Sequence, residues 1–310
     1  MISFGLVPHA NIEAQIDIQI RRLISHIIHP LLRYSQMNSS TQNEQDMLRK
    51  IGCILSLFLP TIAFAMEQPQ RPAQSGKPQG LSVGLGAVGS TGIYVGEKTE
   101  IIPVPVISYE SDRFFIRGLS AGAALYGNRI FSVNAIANVN MMNLDVGDLN
   151  TQKLSNQGIS KAQLEDRDRS VDLGVEANMR KPYGTLSVQA LQDVGGASEG
   201  AELRFNYQYF WRIDPQLSLI PSVGVEWLSE KRANYYYGIL DSEVARGVEA
   251  YRPDDVFTPN VSLAASYALN EKVNLFGVAT HKFLPNKVQD SPLVDQNSQT
   301  NFFMAVNYKF

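Results

Sequence analysis

Residues 300–310, TNFFMAVNYKF, determine the predicted fold class of this chain of 310 residues. From Met304 onward large apolar side chains alternate with small or polar ones, and in an extended strand successive side chains point to opposite faces. One face therefore carries Phe302, Met304, Val306, Tyr308 and Phe310, and the other carries Ala305, Asn307 and Lys309. The stretch predicts a strand with one oily side and one polar side.

The same alternation with a period of two recurs upstream. Clear examples are 131–140, 170–179, 201–211, 216–227 and 258–269. A soluble antiparallel sandwich has this pattern too. Here, however, aromatic residues lie near the segment ends and short connections alternate with long ones, which is typical of interface girdles and of short periplasmic turns opposite long outer loops. The predicted fold is all-β: a transmembrane antiparallel up-and-down β-barrel in the outer membrane of a Gram-negative cell.

The strand count depends on residues 113–126, which form either one bent strand or two short ones. A split at Gly118 gives twelve strands, and we adopt that number because two periplasmic chain ends require an even count; ten is the alternative. The other predicted strands are 80–89, 100–110, 129–141, 169–180, 184–193, 200–213, 216–230, 256–269, 272–283 and 299–310.

An export signal lies unusually far from the first residue. Residues 47–65, MLRKIGCILSLFLPTIAFA, contain a basic start, an apolar stretch too short to span a bilayer, and a small-x-small site that ends at Ala65. Cleavage there makes Met66 the first residue of the mature protein. We interpret residues 1–46 as an upstream extension from an over-extended reading frame, with a long cytoplasmic extension as the alternative. Residues 66–79 are predicted to be a disordered leader and residues 80–310 the barrel.

The mature chain offers little catalytic or metal-binding chemistry. The one cysteine, Cys53, lies inside the predicted signal, and His281 is the one histidine after residue 66. A Cys/His zinc site and a cysteine nucleophile are therefore excluded, and His281 is better explained as a strand residue near the outer rim than as a general base. The net charge of −3, without a basic block, argues against nucleic acid as a partner. We expect no enzyme activity and no cofactor.

Charged residues fall on the polar faces of several predicted strands. Because their signs are mixed, they either line a narrow pore or pair and fill the lumen. We favour a closed or narrow lumen, since charges removed from bulk water need partners. The run EDRDR at 165–169 is predicted to be a solvated loop end, because it lacks the ligand spacing and the glycine of a calcium loop. The inward-facing charges are Asp172, Glu176, Glu202, Arg204, Glu226 and Lys309.

Loop motifs carry a family resemblance. The first is Tyr235-Tyr236-Tyr237-Gly238, followed by Glu249-Ala250-Tyr251 and Pro253, with Glu243 as an alternative match for the acidic position; the second is Asp290-Ser291-Pro292-Leu293-Val294; weaker matches are Tyr94-Val95-Gly96 and Pro103-Val104-Pro105. Over about residues 80–310 the chain resembles the MipA/OmpV family, outer-membrane proteins named for binding a murein-degrading transglycosylase. One departure is Gly92-Ile93, where the family pattern has a proline before Tyr94.

The resemblance implies a non-enzymatic outer-membrane protein that acts as a scaffold for enzymes of murein synthesis and lysis. Its implied partners are a lytic transglycosylase and a peptidoglycan synthase; a small-solute channel and a surface adhesin are the alternatives. The triple tyrosine is either an aromatic binding platform or loop packing. The terminal aromatics Tyr308 and Phe310 resemble the signal that the barrel-assembly machinery reads, so that machinery and outer-membrane lipid are further expected partners.

Overall fold

A computed structural model describes residues 80–310 of the chain. The predicted export signal with Ala65 and Met66, the extension 1–46 and the leader 66–79 lie outside the described residues and stay predictions. The strands are β1 (Gly80–Ser90), β2 (Glu100–Glu110), β3 (Phe114–Arg117), β4 (Ser120–Gly127), β5 (Phe131–Val139), β6 (Val171–Lys181), β7 (Gly184–Asp193), β8 (Ala201–Gln208), β9 (Trp211–Arg212), β10 (Leu217–Leu228), β11 (Val256–Ala268), β12 (Val273–Phe283) and β13 (Ser298–Lys309). The helices are α1 (Thr151–Asn156), α2 (Glu230–Tyr237), α3 (Asp241–Ala245) and α4 (Asn286–Gln289), with 3-10 turns at Val146–Asp148 and Lys161–Gln163.

The strands form one closed antiparallel sheet. Neighbours along the chain pair with each other, and β13 returns to pair with β1, which places Leu85 opposite Val306. Both β8 and β9 pair with β10, so they are two parts of one wall strand that is interrupted at 209–210. The wall described by residues 80–310 therefore has twelve strands, which confirms the predicted barrel and its strand count and excludes ten.

Segment 113–126 is two strands joined by a tight turn. β3 ends at Arg117, Gly118 has a φ of +59°, and β4 begins at Ser120. This left-handed conformation is easy for glycine and strained for most other residues, because glycine has no Cβ. The chain can therefore reverse at Gly118 within two residues.

The outer surface of the wall is apolar. Alternate strand residues expose large hydrophobic side chains, among them Leu85 (75%) and Met304 (67%). Such a belt is a liability in water but matches the polarity of a hydrocarbon layer. Tyr209, Trp211 and Tyr267 are exposed near strand ends, where an interface girdle lies. Within residues 80–310, no helix is long and apolar enough to cross a membrane.

The two ends of the barrel differ in their connections. One end has turns of two to four residues: 111–113, 128–130, 182–183, 213–216 and 269–272. The chain also begins β1 and finishes β13 at this end, which is the periplasmic side in barrels of this kind. The opposite, outer end has the connections 91–99, 118–119, 140–170, 194–200, 229–255 and 284–297.

The lumen has an apolar part and a polar part. The apolar part is formed by buried residues of β1, β2 and β10–β13, namely Val88, Val104, Val106, Ile220, Ala264, Phe276, Phe303 and Ala305. The polar part is formed mainly by buried residues of β5–β8, among them Asn134, Asn138, Asp172, Glu176, Asn178, Ser187 and Glu202. The twelve-stranded wall thus encloses surfaces of opposite character.

Candidate functional site

Four outer loops fold together over the barrel mouth and form what we call the cap: 91–99, 140–170, 229–255 and 284–297. The loops share a hydrophobic core of their own, which explains why these long connections are ordered. The cap core contains Ile93, Tyr94, Val95, Leu144, Leu149, Leu154, Ile159, Leu164, Ala233, Tyr236, Tyr237, Ile239, Val248, Leu284, Val288, Leu293 and Val294, and it continues onto Leu228 and Val256 of the wall.

The two loop motifs singled out in the sequence meet inside this cap. The Ser291 hydroxyl donates a hydrogen bond of 2.6 Å to the backbone oxygen of Tyr237. The Tyr94 hydroxyl donates one of 3.2 Å to the backbone oxygen of Tyr236, and the Val95 amide donates one of 2.9 Å to the Leu293 oxygen. Asp290 follows α4 directly, and Pro292 lies between Ser291 and Leu293. The tyrosine motif therefore connects three cap loops.

The three tyrosines of α2 are mostly packed rather than displayed. Tyr236 is fully buried, Tyr237 is nearly so, and burial raises the pKa of both hydroxyls above the usual tyrosine value. Tyr235 is half-buried, and its ring meets that of Tyr236 edge-on at 4.9 Å. Gly238 ends the helix where an added Cβ would lie 2.6 Å from the Asn234 oxygen, so no larger residue fits. These contacts favour loop packing over a binding platform.

A buried ion pair corrects the expectation for residues 165–169. Arg167 is fully buried and its guanidinium lies 2.7 Å from a Glu243 carboxylate oxygen, which is also buried. Arg167 further donates a hydrogen bond of 2.7 Å to the Tyr235 oxygen, and Glu243 accepts from the Leu240 amide at 2.8 Å. The prediction of a solvated loop end was wrong for Arg167, because the loop 229–255 folds over it. Glu249, the other candidate acidic position, is exposed.

A second buried cation, Arg232 of α2, reaches from the cap into the polar lumen. Its guanidinium lies 2.6 Å from Asp172 and 3.2 Å from Glu202, and all three side chains are excluded from solvent. The Ser170 hydroxyl accepts another hydrogen bond of 2.5 Å. Sequence analysis missed Arg232, because nothing in its local sequence distinguishes it from the exposed Lys231 beside it.

The remaining predicted lumen charges have different partners. Glu202 also pairs with Arg204, while Glu226 pairs at 2.5 Å with Lys282, a residue that the sequence analysis did not select. Glu176 accepts hydrogen bonds from Asn134 (2.8 Å), Asn178 (2.7 Å) and Gln189 (3.0 Å). Lys309 is exposed at the periplasmic end of β13. The alternation of 272–283 places Lys282 on the inner face, so Lys282 could have been predicted from the sequence as a lumen charge.

A cavity of about 140 Å³ lies among these charges in the lumen. It is small beside the roughly 300–1,000 Å³ of pockets that enclose drug-sized ligands. Its lining mixes charged groups with apolar ones, including Glu176, Arg204, Glu226 and Lys282 together with Ile136, Ile220 and Val278. Such a cavity suits several waters or a small polar solute.

His281 and the terminal aromatics lie away from this cavity. One ring nitrogen of His281, Nδ1, is 2.9 Å from the Thr300 hydroxyl on the neighbouring strand. Phe310 is 72% exposed and its ring meets that of Tyr308 at 5.1 Å. The Phe310 amide donates a hydrogen bond of 3.1 Å to the Leu81 oxygen, which joins the last residue to the first strand.

Comparison with known proteins gives consistent matches. The family model described as "MltA-interacting protein MipA" matches residues 83–310. The putative outer membrane protein YiaT of Escherichia coli K12 is 32% identical over 231 residues, covering 74% of this chain and 91% of YiaT. The MltA-interacting protein of the same strain is 30% identical over 233 residues, covering 74% and 89%. Among solved structures, that of the NanC porin aligns with 73% of this chain and 100% of that chain, at 9% identity and a TM-score of 0.40.

Proposed function

The chain belongs to the MltA-interacting protein MipA family of outer-membrane proteins, and from that premise we propose that it is a scaffold that binds murein-processing enzymes on the periplasmic side. The observation that carries the proposal is the relative named MltA-interacting protein, which is 30% identical to this chain and aligned over 89% of its own length. By analogy with that name, the proposed partner is a lytic transglycosylase; a peptidoglycan synthase is added because the family resemblance implies it.

The closed architecture supports a scaffold more than a wide pore. The cap core is packed, and the buried pairs Arg167–Glu243 and Arg232–Asp172 tie it together and to the wall. Breaking a buried pair by removing one partner costs about 3–5 kcal/mol, because a charge is left without compensation. A conducting state that moved the cap aside would have to separate these groups.

The periplasmic face offers the partner a shallow surface of five short turns. Exposed residues at these turns include Arg113, Arg129, Tyr183 and Lys272. A partner enzyme would contact several turns at once, since each turn has at most four residues. Crosslinking probes for the partner are therefore best placed in these turns.

Site-specific photo-crosslinking in cells tests the scaffold. A photo-reactive residue replaces Arg113, Tyr183 or Lys272 on the periplasmic face, and Glu249 in an exposed outer loop serves as the matched control. We expect a lytic transglycosylase or a peptidoglycan synthase in the adducts from the turns and not in those from Glu249. Adducts from the turns that contain neither enzyme, with the protein correctly inserted, would contradict the proposal.

A small-solute channel is the second candidate, and the lumen cavity of about 140 Å³ with charges of both signs is the observation in its favour. Planar-bilayer recording separates the two. A scaffold with a closed cap gives no steady single-channel current, whereas a channel gives a current whose ion selectivity changes when Glu226 or Lys282 is replaced.

A further inference from the structure

One side of the barrel wall is incomplete towards the outer end. All eleven residues of β2 pair with β1, but on its other side β2 pairs with β3 only through Ser108–Glu110. The hairpin of β3 and β4 turns back at Gly118, whose amide donates to the Ile107 oxygen at 3.2 Å. Among the described strands, none lies beyond that point beside Glu100–Val106. This unpaired edge of seven residues is about 23 Å long, at roughly 3.3 Å per residue.

On the opposite side of this region, β5 likewise has no hairpin strand beside it towards the outer end. β4 accompanies β5 only as far as Asn138 and Val139. Beyond Val139 the chain continues outward beside the end of 140–170, with the Asn140 amide donating to the Ser170 oxygen at 2.8 Å. The cap closes the region above, where the Asn150 amide donates to the Val95 oxygen at 2.8 Å. The missing upper part of the hairpin thus leaves a window in the wall.

Two prolines lie on the free edge of β2. Backbone groups of alternate residues point to the same side of a strand, and Ile107 points its carbonyl towards the hairpin. The backbone nitrogens and carbonyls of Ile101, Pro103 and Pro105 therefore point to the free edge as well. Proline has no N–H, and it is confined to strand edges whose N–H side has no partner. The prolines remove two of the three donors that this edge would leave unsatisfied in hydrocarbon, while the three carbonyl oxygens remain without a partner among the described strands. They also oppose the addition of another strand.

The surfaces on both sides of the window are apolar along 101–107, whereas Glu100 at its outer end interacts electrostatically with Arg169. On the membrane side, Ile101 and Ile107 are exposed, as are Pro103 and Pro105 between them. On the lumen side, Ile102, Val104 and Val106 of β2 and Leu119 at the hairpin tip belong to or pack against the apolar part of the lumen. A continuous apolar path therefore leads from the membrane, past the edge of β2, into the barrel.

We propose that this window is a lateral binding site for the hydrocarbon chain of an outer-leaflet lipid. The hydrocarbon chain would enter between the free edge of β2 and the backbone that follows Val139, and it would rest against Leu119, Ile102 and Val104. A hydrocarbon chain fits because it needs no hydrogen bonds from the edge and gains from contact with apolar side chains on both faces. A strand from a second copy fits poorly, since Pro103 and Pro105 cannot donate to it. Lipid binding at the window would not require the proposed murein partner.

Quenching of tryptophan by lipids with brominated acyl chains tests the window. The background variant carries Trp211→Phe and Trp227→Phe, which removes both native tryptophans. Leu119→Trp reports on the window and Ile107→Trp on the lipid face. Leu191→Trp is the matched control, because Leu191 is buried inside the lumen on β7, which is paired on both sides. Heat-modifiable migration in gels confirms that each variant is folded in lipid vesicles.

We expect Leu119→Trp to lose fluorescence to a degree comparable with Ile107→Trp, and Leu191→Trp to keep it. Equal, weak quenching of Leu119→Trp and Leu191→Trp in folded protein would overturn the proposal. So would crosslinked dimers through β2 together with protection of Leu119→Trp, which would assign the edge to a second copy. If Leu119→Trp does not fold, Ile102→Trp, on β2 behind the same edge, decides the question by the same comparison.

Discussion

Replacing Arg232 with methionine should open the cap. The guanidinium of Arg232 lies 2.6 Å from Asp172 and 3.2 Å from Glu202, and none of the three side chains is exposed. Methionine keeps much of the volume but leaves two buried carboxylates with less compensation. We expect a loss of about 3–5 kcal/mol, as for other buried pairs that lose one partner. At about 1.4 kcal/mol per factor of ten, the open state becomes more populated by roughly two to three and a half orders of magnitude.

Limited trypsin digestion of the inserted protein measures this opening, because cleavage in 229–255 requires the loop to leave the cap. Lys231 supplies a cleavage site next to the substitution. The control is Arg252→Met. Arg252 precedes Pro253 and is therefore not a trypsin site, so the control keeps one more cleavage site than Arg232→Met. Arg252 pairs with Asp241, but their side chains are 55% and 86% exposed, and exposed pairs contribute about 0–1 kcal/mol. Arg232→Met should be cut far faster than the control.

A rescue variant separates charge from packing. Adding Asp172→Asn to Arg232→Met removes the carboxylate that has lost its partner and keeps its shape, while Glu202 stays charged and paired with Arg204, so protease resistance should largely return. If Arg232→Met is cut at the rate of Arg252→Met, the ion pairs do not hold the cap. If the double variant is cut as fast as Arg232→Met alone, lost packing and not charge is the cause.

Three further predictions concern export, assembly and pH. N-terminal sequencing of the outer-membrane form should begin at Met66, and retained upstream residues would contradict the signal assignment. Deleting Phe310 should reduce heat-modifiable, inserted protein in cells but not refolding in detergent, because its side chain is mostly exposed and its burial contributes only about 1–2 kcal/mol; normal insertion in cells would refute an assembly role. Burial opposes ionisation of Asp295, but hydrogen bonds from Lys153, Gln296 and a backbone amide outweigh it and hold the Asp295 pKa below its usual value. The stability that the ionised carboxylate contributes is therefore present at neutral pH and lost as pH falls through the lowered pKa. Cleavage of the cap by pepsin, which is active in that acid range, should therefore increase with acidification less in Asp295→Asn than in wild type.

The barrel was predictable because its signal is local. Whether residue 302 and residue 304 share a face depends only on the extended backbone between them, and the same reasoning holds for each wall strand. Gly118 is also a local signal, since the left-handed turn it allows depends on its own missing Cβ. Closure followed from these strands, because an open sheet in lipid leaves backbone groups unsatisfied. The pairing of β13 with β1 therefore agrees with the prediction.

Only the tertiary structure decided the state of the charged residues. Arg232 meets Asp172 across 60 positions of sequence, and Arg167 meets Glu243 across 76. No periodicity relates such distant residues, and each pair exists because a long outer loop folds back over the barrel mouth. For this reason the sequence EDRDR predicts a solvated segment although Arg167 is buried. The local sequence around Arg232 likewise does not indicate that Arg232 is buried.

The prolines of β2 also separate what the sequence determines from what only the tertiary structure decides. Pro103 and Pro105 are visible in the sequence as part of a family motif, but their meaning depends on which edge of β2 has a neighbour. That edge is set by the length of β3, by its register of three residue pairs with β2 and by the turn at Gly118. A strand's own alternation determines which side chains face lipid, whereas only its pairing with other strands determines which backbone groups have partners, because hydrogen bonds between strands join residues that are distant along the chain.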